Sequence, residues 1–356
     1  MRLILHIGMH KTASTTIQKR LKANNQRLKE FGYHYVSKNR KALLKAVQEE
    51  NFQPWRKLIR QAQTDGLTPI LSHEAFSHIL CRLRSGKTNS CIGDWLLKKL
   101  SQNGVSVTVI GFVRDQPSYL NSHYTQHVKR FATAQSLEAY AEKAMRPSIG
   151  KRSCDPEQLF GWLSQHPSVH AVFFPYGRSI SPPSCQGDAP RDPFAQLIHC
   201  LGIPDTVQFK PVANQNSQPG DLAIRAALQL SQELKREGVR LGKRAKWART
   251  LLCREAERRN WMETPYMGVD SRLNRRIRAH FSAANNRFAN RIWGCPWDQI
   301  FNPDTSAQSR IPSAAEQQAI DQAVRRIRRR LVPPAQRLWS WLPFPAGDLG
   351  RKKDRC

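Results

Sequence analysis

The stretch "VSVTVIGFV", residues 105–113, limits the fold more than any other part of the chain, because a largely apolar run of this length reads as a buried strand. Arg114 follows at once, and a helix is expected from about Asp115, with Pro117 tolerated in its first turn. The chain opens in the same manner. Leu3, Ile4, Leu5 and Ile7 form a strand-length apolar run that Gly8 breaks, and Ile17, Leu21 and Leu28 then recur at helical intervals, so a helix should begin near Ser14 or Thr15. Extended along the chain, this reading places strands at 3–7, 69–72, 105–113 and 169–174, with helices near 14–30, 40–63, 91–101, 116–130, 155–165 and 192–201. Alternation of this kind predicts an α/β fold in three layers, with a mainly parallel sheet, helices on both faces and a ligand crevice at the strands' carboxyl ends.

The segment joining the first strand to its helix, within "LILHIGMHKTASTTIQ", carries Lys11 and the hydroxyls of Thr12, Ser14, Thr15 and Thr16. A strand end meeting a helix start exposes unpaired N–H groups and the positive end of the helix dipole, an arrangement that binds phosphate-like anions. A helix that only needed a cap would use one such hydroxyl, not four around a lysine. The nucleotide triphosphatase loop GxxxxGKS/T does not fit, because Lys11 stands three residues after Gly8 and no second Gly precedes it.

The core Lys11-Thr12-Ala13-Ser14-Thr15, preceded by "HIGMH", resembles the phosphosulfate loop of sulfotransferases, in particular bacterial sulfotransferase-like proteins with a P-loop-type core. Ala13 stands where most members carry Gly, so the loop is expected to run with a negative φ there or to hold its ligand less closely. The resemblance implies 3′-phosphoadenosine 5′-phosphosulfate as donor, with His10, Lys11, Thr12, Ala13, Ser14, Thr15 and Thr16 about it. His10 could equally pack only at the strand end. A second match strengthens the first: the family carries an Arg at a strand end and a Ser eight residues later that grip the donor's 3′-phosphate, and Arg114 and Ser122 have that spacing. Arg offers phosphate oxygens a planar fork, and Ser122 would share a helix face with Asp115 and Tyr119.

Sulfuryl transfer to a hydroxyl also needs a base for the acceptor's proton. "PILSHEAFS" puts His73 and Glu74 just past a strand end. Glu74 resembles the catalytic Glu of carbohydrate sulfotransferases and is the first expectation, and His73, similar in place to the His of cytosolic members, is the second. Glu74 could instead only cap the next helix. The similarity covers residues 1–130 and, more weakly, "FSAANNRFANRIWG" at 281–294, where Asn286 and Arg287 would sit near the sheet. The Gly-rich third motif of the cytosolic branch is echoed only faintly by "RLGKRAKW" at 240–247. His123 and His127 are spaced like a zinc pair but lack the Glu of H-E-x-x-H, and no metal is expected.

At 356 residues the chain has room for up to two domains at roughly 150 residues each. An α/β core over 1–220, a helical basic region over 221–332 that completes or packs on it, and a flexible basic tail over 333–356 are expected. Residues 178–193, rich in Ser, Pro and Gly, read as a surface loop, and Leu222, Ala226, Leu230 and Leu234 as one helical stripe. No transmembrane run and no room before the first strand for a secretion signal point to the cytoplasm, and eight cysteines without a C-x-x-C pair read as reduced thiols. Fifty-seven Lys and Arg against 27 Asp and Glu give a formal charge of +30, which attracts any polyanion. With the resemblance, an acceptor alcohol on an acidic glycan or glycolipid is the expected partner, rather than nucleic acid. The charge, with Trp339, Trp341 and Phe344, also allows peripheral contact with the inner face of an anionic membrane, although a solvated basic helix with packed aromatics is the simpler reading of those residues. Two rivals to a sulfotransferase remain: a magnesium-dependent nucleotide kinase with Asp115 as metal ligand, and a polyanion-binding protein with a vestigial loop.

Overall fold

A computed structural model describes residues 1–84, 90–146, 154–166, 169–177, 192–212, 219–302 and 310–331. Within them, β1 (Arg2–His6), α1 (Ser14–Ala23), α2 (Asn25–Glu30), β2 (Tyr33–Tyr35), α3 (Arg40–Gln48), α4 (Gln53–Asp65), β3 (Thr68–Ser72), α5 (Ala75–Leu80), α6 (Ile92–Gln102), β4 (Ser106–Val113) and α7 (Gln116–Val128) come first. They are followed by α8 (Leu137–Met145), α9 (Pro156–Phe160), a 3-10 turn over Gly161–Gln165, β5 (Val169–Pro175), α10 (Pro193–Cys200), α11 (Asp221–Arg236), α12 (Ala245–Arg258), α13 (Ser271–Trp293), α14 (Trp297–Ile300) and α15 (Ala314–Leu331).

The five strands form one sheet in the order β2-β3-β1-β4-β5, and every pairing is parallel. Burial on both faces explains why β4 reads as a continuous apolar run: all of its residues except Ser106 are buried. Successive side chains leave a strand on opposite faces, so Phe174 joins Ile4, Ile70, Ile110 and Phe112 against Ile17, Leu21 and Leu28 and against Phe194, Leu197 and Ile198 of α10. Its neighbour Phe173 packs on Phe160 and Phe288 instead. Gly111 is needed on that second face, since a Cβ there would lie 2.4 Å from the Phe173 ring. The α/β reading and its parallel sheet are thus correct.

The departures from the expected elements have local causes. The helix expected over 14–30 is two helices, divided at Asn24, whose buried amide donates to Arg20 O and Lys210 O and accepts from Lys210 N–H. That over 40–63 divides at Glu50, where φ is +50°, and restarts with Pro54 in the first turn of α4. The three-residue edge strand β2, too brief to show a period, and the helix α8 were not expected, whereas α5 is the helix that the capping alternative for Glu74 requires.

The chain divides into two compact units, Met1–Tyr124 with Ser136–Ser217 and Met267–Arg310, and Thr125–Gln135 with Gln218–Tyr266 and Ile311–Cys356. The first holds the whole sheet together with α13 and α14, so part of the chain beyond residue 221 belongs with the sheet. The second holds α11, α12 and α15. On α11, Ala226, Leu230 and Leu234 of the expected stripe are buried and Leu222 only partly so, because Ala223 and Ala227 complete the apolar face. The expected loop at 178–193 lies, up to residue 191, outside the described residues, as does the tail 333–356. Among the described residues, six cysteines are free and no helix is long and apolar enough to cross a membrane.

Candidate functional site

Strand order alone brings three loops together. β1 lies between β3 and β4, and the chain builds the sheet to one side of β1 before crossing to the other, which opens a crevice at the carboxyl end of β1. Backbone bonds continue past the strand ends: Ile7 N–H and Met9 N–H donate to Ile110 O and Phe112 O at 2.9 and 3.1 Å, and His73 N–H donates to His6 O at 3.3 Å. The loop 8–13 is therefore flanked by His73 and Glu74 on one side and by Arg114 on the other.

The loop is closed by Thr12, fully buried, whose hydroxyl donates to Met9 O at 2.6 Å. Gly8 makes room for that hydroxyl, which would lie 3.1 Å from a Cβ at its position. Contrary to the expectation of a negative φ, Ala13 is left-handed, with φ +59° and ψ 10°, and Lys11 has φ +69°. Alanine therefore occupies the conformation that glycine would adopt at no steric cost, at roughly 1–2 kcal/mol. Left-handed residues thus stand on either side of Thr12, immediately before a helix start, where backbone N–H groups and the helix dipole favour negative charge. The first backbone bonds of α1 are those of Thr16 and Ile17 to Ala13 O, and among the described residues the N–H groups of Ser14 and Thr15 at the helix start have no backbone acceptor. Ser14 is 4 % exposed, yet its hydroxyl has no hydrogen-bond partner among the described residues. Thr15 is exposed and Thr16 half-buried.

Arg114 ties the second loop to the first. Its Nε donates to Ser118 Oγ at 2.8 Å and its guanidinium to Lys11 O at 3.0 Å, while the ring of Tyr176 lies 5.7 Å from Cζ. Ser122, half-buried, stands one turn beyond Ser118 on the same face of α7. Asp115 turns away from the loop: its carboxylate accepts from Arg278 at 2.8 Å and from Trp297 Nε1 at 3.1 Å. Burial pushes that carboxyl up to about 6 against the pull of Arg278.

On the β3 side, Glu74 does not cap α5. It makes no side-chain cap bond, and its Oε1 instead stands 3.5 Å from His10 Nδ1. The His10 contact holds the Glu74 carboxyl below the usual carboxylate range despite burial. His73 uses Nδ1 to accept from Ala75 N–H at 3.1 Å, and burial lowers its pKa. The His10 ring stacks on His78, with centroids 4.7 Å apart at 15°, and lies 6.3 Å from that of His123. His123 takes the Tyr140 hydroxyl as partner at 2.6 Å. Burial holds both His78 and His6 near pKa 4, as neutral rings at pH 7.

Several contributors were not visible in the sequence. Ser118 and Tyr176 brace Arg114, Arg278 and Trp297 hold Asp115, and His78 backs His10. None has a motif, because each arrives through packing. In α13, Asn286 accepts from Trp297 N–H at 3.0 Å, whereas its neighbour Asn285 reaches α7, exchanging two amide bonds of 2.6 and 2.9 Å with the buried Gln116. Residues 240–247 belong to the second unit. Compared with protein-family models, curated proteins and solved structures, the chain matches none of them.

Proposed function

We propose that the chain is a sulfotransferase that moves a sulfuryl group from 3′-phosphoadenosine 5′-phosphosulfate to an acceptor hydroxyl. The observation that carries the reading is the loop 8–13. Its left-handed Lys11 and Ala13, its unspent amides and the buried, unpartnered Ser14 hydroxyl together describe a cradle for a compact anion, with a lysine in it. A buried hydroxyl without a partner is unfavourable by roughly 1–3 kcal/mol, so a ligand that accepts from it recovers that loss. Arg114, bonded to Lys11 O beside that helix start, and Ser122, two turns along α7, are the cationic and hydroxyl groups assigned to the donor's 3′-phosphate. The kinase alternative is less well supported, because both oxygens of Asp115 are already engaged. An acidic glycan or glycolipid acceptor suits the formal charge of +30.

The experiment is a calorimetric titration of 3′,5′-bisphosphoadenosine and adenosine 5′-monophosphate into the wild type, Arg114→Ala and Ser122→Ala. Only the bisphosphate fills a second anion site. At roughly 1.5–3 kcal/mol per charge-assisted bond, the wild type should prefer it about tenfold or more. Arg114→Ala should remove most of that preference, and Ser122→Ala less. Equal affinity of the wild type for the two nucleotides would rule the reading out.

A further inference from the structure

The three groups on the β3 side of the loop are not equally able to take a proton. A neutral imidazole that accepts a hydrogen bond at Nδ1 must carry its proton on Nε2. His73 is in that state, because Ala75 N–H points at its Nδ1, so its outer nitrogen can donate and cannot accept. Glu74 is a carboxylate made less basic by its contact with His10. His10 is arranged in the opposite sense to His73. Its Nδ1 faces Glu74 Oε1 at 3.5 Å, which favours the proton on Nδ1 and leaves the lone pair on Nε2, for which no hydrogen-bond partner exists among the described residues. A contact of this length is typical of an unliganded site and shortens when the ring gains charge. Stacking on the buried, neutral His78 fixes the ring plane without competing for the proton. The peptide chain puts His10 next to Lys11, on the lip of the anion cradle.

We propose that His10 is the catalytic base of the transfer, acting through Nε2, and that Glu74 and His78 are positioning residues that set its tautomer and its plane. The inference rests on the sulfotransferase reading. In the step, the acceptor O–H gives its proton to His10 Nε2 as an oxygen lone pair forms the new O–S bond. The S–O bond to the 5′-phosphate breaks with its electron pair leaving on the phosphate oxygen, where Lys11 and the loop amides meet the charge. The imidazolium formed is then stabilised by Glu74 across the ring, the arrangement that a carboxylate–histidine pair provides in other proton-transfer sites.

Three measurements on the full chain test it. In the first, nitrogen NMR of the histidine rings near neutral pH should show His10 as the Nδ1–H tautomer, shifting toward Nε2–H in Glu74→Gln. A wild-type His10 in the Nε2–H form would overturn the proposal without any appeal to activity. In the second, 3′,5′-bisphosphoadenosine should bind wild type, His10→Ala and Glu74→Gln within a few-fold of one another, which shows that the variants fold. Absence of binding to the wild type would sink the sulfotransferase reading and this inference with it. In the third, radiolabelled phosphosulfate donor is supplied with neutral and acidic oligosaccharides. His10→Ala should lose about 10²–10⁴-fold in transfer, and free imidazole should restore part of it. Glu74→Gln should retain measurable but lowered transfer, because the ring is no longer held as the Nδ1–H tautomer while Nε2 remains the proton acceptor. The groups that face His10 are Glu74, His73 and His78 from the β3 side, His123 from α7 and Lys11 in its own loop. Transfer that survives in His10→Ala but vanishes in Glu74→Gln would assign the base to Glu74 and overturn the proposal alone.

Discussion

Replacing His78 with Phe should stabilise the protein, and by more in acid than at neutral pH. The imidazole is 8 % exposed and neither ring nitrogen has a partner among the described residues, while the ring itself stacks on His10. A phenyl ring keeps the stacking and removes two unsatisfied polar atoms, which favours the variant at neutral pH by roughly 1–3 kcal/mol. The pH dependence has a separate origin. Burial first, then His10 and Arg82, lower the pKa of His78 from 6.5 to about 4, with Glu74 opposing. Between those values the unfolded chain holds a proton that the folded protein does not. The contribution of His78 to stability is therefore intact above about pH 6.5 and is lost as pH falls toward 4. From about pH 7.5 to about pH 4.5, linkage gives a loss of about 2.5 kcal/mol in the wild type that the variant escapes. His6, shifted in the same direction, and Asp115, shifted the opposite way, are present in both proteins and cancel in the difference. Urea unfolding of the two proteins at both pH values measures that difference. An advantage of the variant that is the same at both, or that shrinks in acid, would refute the argument.

Ser14→Ala should trade binding for stability. The free protein should gain about 1 kcal/mol or more by losing an unpartnered buried hydroxyl, while affinity for 3′,5′-bisphosphoadenosine falls about tenfold, as read by urea unfolding and calorimetry. Ala13→Gly relieves a left-handed alanine but loosens the unfolded chain, and the net change should be a gain of at most about 1 kcal/mol; a loss larger than that would mean that the methyl group packs. Asn285→Ala leaves the Gln116 carbonyl oxygen without its amide partner and should lower stability by about 2 kcal/mol in the same assay.

The sequence by itself determined the sheet's interior strands and the character of the loop. A strand buried on both faces is mostly apolar, so β1, β3 and β4 could be read within a residue or two, and the hydroxyl-rich turn between a strand and a helix start is visible in the residues themselves. The edge strand β2 faces fewer neighbours and carries no such constraint. Tertiary structure decided what the side chains do. Glu74 could cap a helix or reach across the crevice, and the choice followed from β3 lying beside β1, which sets His10 opposite it. Ala13 could have taken a negative φ, but the loop closes through Thr12 and Met9 over Gly8, and that closure comes with the left-handed turn despite the methyl group. Arg114 was visible as a strand-end cation, whereas its bond to Lys11 O depends on β4 pairing with β1 across about a hundred residues of chain. Contacts between residues so distant in sequence leave no period and no spacing to read, and they settle which of several chemically competent groups meet.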